Sequence, residues 1–157
     1  MLNKTDYLSD AIARFSAGTS TDAYQFMGCH RQVVDGQEGF IFRVWAPHAK
    51  SVRVLGRFND WDKSSPVMER ISPAIWERFI PEAQVYDEYK YYIERPNGTF
   101  VFKADPYGFH SCTRSENASK VYDLEGFQWT DANYRRARGR KNALKSPVNI
   151  YELHLGS

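Results

Sequence analysis

Between positions 39 and 104 the chain repeats with a period of two, and this constrains its fold more than any other feature. Phe40, Phe42, Val44 and Ala46 alternate with Ile41, Arg43 and Trp45. That spacing sends successive side chains to opposite faces of a strand. Four more runs follow: 51–57 (SVRVLGR), 75–81 (IWERFIP), 87–95 (DEYKYYIER) and 99–104 (TFVFKA). Turn residues separate them, namely Pro47-His48, the polar stretch 58–62 and Pro96-Asn97-Gly98; the last pair, Asn-Gly, is a hairpin signal because it tolerates positive φ. With a sixth run near 120–124, short strands at regular spacing predict a mainly β protein, a β-sandwich of immunoglobulin-like type with a short N-terminal helical segment.

The flanks lack this alternation. Residues 5–17 carry Leu8, Ile12 and Phe15 at helical spacing, with Thr5 placed to cap the start and Gly18 the end. Residues 19–35 read as an ordered connector. Residues 131–145 are basic, with Asp131 placed to cap a short helix, and read as a linker; residues 147–157 begin a strand with no partner downstream. The predicted organisation is therefore a helix and connector over 1–35, a sandwich over 36–125, and a linker plus the start of another domain over 126–157.

Ten Tyr, ten Phe and four Trp make 15% of the 157 residues aromatic. Flat rings in that number suit either a packed core or stacking on ligands. A net charge of +2 is too small to imply a nucleic-acid or membrane partner. Cys29 and Cys112 match no metal-ligand spacing and are expected to be buried thiols; no metal, cofactor or catalytic residue is expected. The start of the chain has acidic residues and no apolar leader, so a cytoplasmic location is expected. The sequons at Asn97 and Asn117 then read as chance matches.

In 88–94 the alternation sets Tyr89, Tyr91 and Ile93 on one face and Lys90, Tyr92 and Glu94 on the other. Phe100 and Phe102 share a side of the next strand, and Asn97 sits in the connecting turn. Trp61, between Asn59, Asp60, Asp62 and Lys63, lies in too polar a stretch for easy burial. Together Trp61, Lys90, Tyr92, Asn97, Phe100 and Phe102 form a candidate sugar-binding groove, since sugar C–H faces stack on rings and hydroxyls bond to Lys and Asn. Trp45, Trp76 and Trp129 read as structural. The four histidines have no ligand spacing, and the acidic residues suggest no general acid and nucleophile.

The strings FRVWAPHA (42–49), VRVLGRFNDWD (52–62), IWERFIP, YKYY (89–92) and KADPY (103–107) resemble, in order, the landmarks of carbohydrate-binding modules of family forty-eight. YQFMGCH (24–30) and NIYELHLGS (149–157) are similar to bacterial glycogen branching enzymes. The resemblance implies a non-catalytic module that binds α-1,4-glucan, glycogen or maltooligosaccharides, chiefly through Trp61 and Lys90. It also implies a parent enzyme that transfers α-1,4-glucan segments to α-1,6 branch points through a covalent intermediate on a carboxylate. Those carboxylates would lie in a (β/α)8 barrel beginning near 150–155, the partner of this module in the same chain. Related modules commonly carry a Trp where this sequence offers Phe100 and Phe102, and a contact Asn where it holds Ser119. The alternative is a module that packs against the barrel and binds no glycan.

Overall fold

The computed structural model describes residues 4–113, 116–140, 142–145 and 147–155. The chain divides into two compact units, Met1–Leu124 and Glu125–Ser157.

The first unit opens with helix α1 (Lys4–Ser16), followed by strands β1 (Gly28–Val34), β2 (Gln37–Trp45), β3 (Ser51–Gly56), β4 (Glu69–Arg70), β5 (Ile75–Ile80), β6 (Glu88–Glu94), β7 (Phe100–Lys103), β8 (His110–Ser111) and β9 (Ser119–Lys120). They form two antiparallel sheets. One is ordered β1-β2-β5-β4; the other is ordered β3-β6-β9-β8, with β7 also pairing β6. This is the sandwich that the alternation predicts.

The inner faces supply the core: Cys29, Phe40, Phe42, Val44 and Trp76 from the first sheet, and Val52, Val54, Tyr89, Tyr91 and Val121 from the second. Phe42 and Tyr89 meet edge to face at 5.0 Å between ring centres. The tyrosine hydroxyls need partners in this apolar layer, and Asp105 provides one. Its Oδ2 accepts from Tyr89 at 2.6 Å and Tyr91 at 3.1 Å, while Oδ1 accepts from the Tyr107 amide at 2.8 Å. Burial pushes the Asp105 carboxyl above its ordinary value, and these hydrogen bonds pull the other way. Among the described residues no buried side-chain nitrogen or oxygen lacks a partner.

Helix α1 covers part of the outer face of the first sheet, at Ile75. Ala11 packs with Phe26, Met27 and Ile75, and Leu8, Ile12 and Phe15 surround them. β2 is buried on both sides from Phe40 to Val44, with Ile41 and Arg43 as inaccessible as Phe40 and Phe42. Arg43 is satisfied by Glu77 at 2.5 Å and by the Phe26 carbonyl at 3.1 Å. Gly18, at φ 72, ends the helix as expected. The expected cap on Thr5 lies outside the described side chains.

Several expectations are corrected. The connector over 19–35 contains β1, which pairs with β2 from Gly28↔Arg43 to Val34↔Gln37, so it belongs to the sandwich. The β6–β7 turn is a three-residue loop, Pro96 to Gly98, closed by Arg95 N–H to the Thr99 carbonyl at 2.8 Å; only Gly98 has positive φ. Cys112 is half-buried, unlike Cys29. Of the tryptophans read as structural, Trp76 is buried and donates to the Ala46 carbonyl, but Trp45 and Trp129 are 54% and 74% exposed.

The second unit contains helix α2 (Ala132–Gly139). Asp131 stands at its N-cap position without a side-chain capping bond; its backbone carbonyl accepts the first helical bond, from Arg135 N–H at 2.9 Å. Residues 150–155 are not a strand, and Ile150, Tyr151 and Leu155 are about nine-tenths exposed. A strand requires a neighbour for its backbone groups, and none pairs with this segment among the described residues. No helix of the described residues is long and apolar enough to cross a membrane.

Candidate functional site

The outer face of the second sheet is set by the register of β6. Tyr89 and Tyr91 point into the core, so Lys90, Tyr92 and Glu94 point out. Pairing places Phe102 beside Tyr92 and Phe100 beside Glu94 on one flank, and Arg53 beside Tyr92 on the other. Side chains directly opposite one another share a face.

The result is a ring cluster. Tyr92 and Phe100 are stacked, 4.8 Å between centres and 13° between planes; Phe102 tilts against Tyr92 at 4.8 Å. Phe100 and Phe102 remain 44% and 42% exposed. Stacking on Tyr92 occupies one face of Phe100, so its accessible surface is the opposite face and the edge. The Lys63 ammonium lies over this cluster, 5.7 Å from the Tyr92 centre and 5.8 Å from that of Phe102. Next along β6, Lys90 donates to Asn117 Oδ1. Ser51 donates to Glu94 at 2.8 Å and, with Lys50, holds that carboxyl below its ordinary range. Hydrogen-bonding groups therefore flank exposed rings on one shallow face.

Trp61 lies on the loop after β3, two residues before Lys63. Asn59 shapes that loop by accepting from Gly56 N–H and donating to the Val54 carbonyl, and Trp61 N–H bonds to the Gly56 carbonyl at 3.0 Å. Trp61 adopts the left-handed conformation, φ 58, and is partly buried; among the described residues it makes no ring contact with the Tyr92 cluster. Asn97 is exposed in the hairpin loop, where its Oδ1 accepts from the Thr99 amide and hydroxyl. The structure thus gathers Lys90, Tyr92, Phe100 and Phe102, sets Trp61 on a neighbouring loop, and gives Asn97 a turn-stabilising bond. Ser119 is buried, its Oγ accepting from Asp105 N–H, so it is part of the core.

Two residues at the site were not singled out by the sequence. Lys63 follows Trp61 by two positions and reaches the rings with its long side chain. Asn117 meets Lys90 only because β9 pairs with β6, Glu88 opposite Lys120. No group of His, Cys, Asp and Glu among the described residues is arranged to hold a metal.

Comparison with known proteins agrees with this geometry. The family profile of Carbohydrate-binding module 48 (Isoamylase N-terminal domain) matches residues 26–108, from just before β1 to just after β7. The 1,4-alpha-glucan branching enzyme GlgB of Synechocystis sp. is 43% identical over 98% of this chain and 20% of its own length. That of Bacillus subtilis strain 168 is 44% identical over 91% of this chain and 23% of its own length. The chain thus spans about a fifth of the length of these curated relatives. With more than half of its residues in the matched region, the chain belongs to the carbohydrate-binding module 48 family.

Proposed function

We propose that this chain is a non-catalytic α-glucan-binding module, an accessory to a 1,4-alpha-glucan branching enzyme that builds glycogen. The carrying observation is the bare outer face of the second sheet, where Tyr92, Phe100 and Phe102 present rings beside Lys90, Asn117 and Lys63. A glucose ring is apolar on its C–H faces and polar at its rim, so it stacks on the rings while its hydroxyls exchange hydrogen bonds with Lys90 and Asn117. Trp61 belongs to this reading as a second ring, held by a backbone conformation that costs about 1 kcal/mol. Such strain in an aromatic residue on a polar loop is a mark of function rather than of packing. Asn97 fixes the hairpin that carries Phe100.

The relatives' names describe bond rearrangement in α-1,4-glucan; the role assigned here is to hold the polymer, in the cytoplasm, while a catalytic barrel acts on it. Titration of the 157-residue chain with maltoheptaose, followed by two-dimensional NMR, is expected to shift amides of β6, β7 and the 57–63 loop. Loss of that response in Lys90→Ala and Trp61→Ala is the expected control. An unshifted spectrum overturns the proposal, and so does branch formation by the chain alone.

A second reading, packing against another domain, is favoured by a different face. Register sets Trp45 beside Ile75 on the outside of the first sheet, but only Ile75 is covered. Trp45 instead lines a groove of about 300 Å³ with Pro47, Ile93, Pro96 and Val101. This surface suits apolar contact with the barrel, and it leaves the Tyr92 face open.

A further inference from the structure

A second ring cluster lies at the other end of the same outer face. Tyr86 meets His110 edge to face at 5.7 Å and tilts against Tyr122 at 5.8 Å; His110 and Tyr122 are 5.4 Å apart. The pairing fixes its side. His110 lies opposite Lys120, and Lys120 lies opposite Glu88, which shares the outward parity of Lys90 and Tyr92 on β6. Val121 is fully buried, so Tyr122 points outward like Lys120. Glu88 and Tyr92 are four positions apart on β6, about 13 Å at the usual rise of an extended strand. Lys90 and Asn117 occupy the interval.

Tyr86 is 56% exposed and has φ 74, in the left-handed region that disfavours residues with a Cβ. Among the described residues four non-glycine residues have positive φ: two are Asp, which tolerates it, and the others are Trp61 and Tyr86. The Tyr86 backbone is pinned by its N–H to the Val121 carbonyl at 2.8 Å, and the Val121 N–H returns to Asp87 at 2.9 Å. Glycine would fit this position better, and burial gives no reason for a ring that remains mostly in solvent. His110 Nδ1 donates to the Ser111 carbonyl at 2.9 Å, which leaves Nε2 for a hydrogen bond with a hydroxyl.

We infer that Tyr86, His110 and Tyr122 form a second sugar platform, which with the Tyr92 cluster makes one extended site selecting α-1,4-glucan chains of several residues over short oligosaccharides. The inference rests on the glucan-binding reading of the Tyr92 face and adds chain-length selectivity to it. A trisaccharide centred on Tyr92 ends before Tyr86; a longer chain crosses Lys90 and Asn117 and reaches both clusters.

The test is calorimetric titration of the 157-residue chain with maltotriose and with maltoheptaose, in wild type and in Tyr86→Gly. Glycine removes the ring and suits the φ, so Tm should hold or rise. Affinity for maltoheptaose should fall by about five- to tenfold, the worth of one stacked ring, while affinity for maltotriose stays within about twofold. A large fall in Tm would make the ring structural and overturn the inference. Equal losses for both sugars, or none for maltoheptaose, would overturn it while leaving the Tyr92 site standing. Failure of the wild type to bind either sugar would overturn the glucan-binding reading, and this inference with it.

Discussion

The two sheets of the sandwich have outer faces of opposite fate. On the first, α1 lays Leu8, Ala11, Ile12 and Phe15 against Phe26, Met27 and Ile75, so the outer face is covered at Ile75 while Trp45 beside it stays exposed. On the second, Phe100 and Phe102 stay more than two-fifths exposed, with the Lys63 side chain over the Tyr92 cluster, although rings of this size are as apolar as those beneath the helix. The contrast separates packing from recognition. Apolar residues on an outer face imply a binding role only where the molecule itself provides no cover.

The contrast presupposes a core that locks both sheets, and breaking it should have the largest effect. Asp105→Ala removes the acceptor of two buried phenols and one amide; we expect a loss of about 3–5 kcal/mol in chemical denaturation. Under the helix, Ile75→Ala should cost about 2–4 kcal/mol, because the residue is wholly buried. Burial raises the folded pKa of Asp105 above its ordinary 3.8, so the stability it contributes is fully present below that value and is lost as pH rises through the folded value. Asp105→Asn, which cannot ionise, should therefore lose less stability than wild type as pH rises from about 4 to about 7, read from chemical denaturation. On the bare face the ranking reverses. Tyr92→Ala should change stability by no more than about 1 kcal/mol but weaken maltoheptaose binding by about tenfold in calorimetry. Phe100→Trp should give the smallest effect, a gain of about two- to threefold in the same titration, since a larger ring extends the stacking surface. If Tyr92→Ala destabilised the fold as strongly as Ile75→Ala, the two faces would not differ in kind.

Much of this contrast was legible in the sequence. The alternation in β2, β3, β5 and β6 is strong because each lines a core on at least one side, and it correctly sorted Tyr89 and Tyr91 inward and Tyr92 outward. β1 escaped because it lies at the edge of its sheet and is half polar, with Val33 exposed; its hydrogen bonds to β2 make it a strand. β4, β8 and β9 have two residues each, too few to show any period. Lys90, Tyr92, Phe100 and Phe102 could be grouped from parity and one hairpin. Asn117 could not, because its meeting with Lys90 depends on a pairing between segments 27 residues apart. Trp45 was misread because alternation names a face without saying what covers it.

Arg43 gives the covered face a further property. Its guanidinium spans from Glu77, on the neighbouring strand, to the carbonyl of Phe26, in the segment against which the helix rests. Peeling the N-terminal segment away would strand that carbonyl and uncover a cation whose remaining counter-charge lies to one side. The segment entering β1 is thereby tied to β2 by a side chain as well as by the strand ladder, so releasing that end costs more than its backbone hydrogen bonds alone.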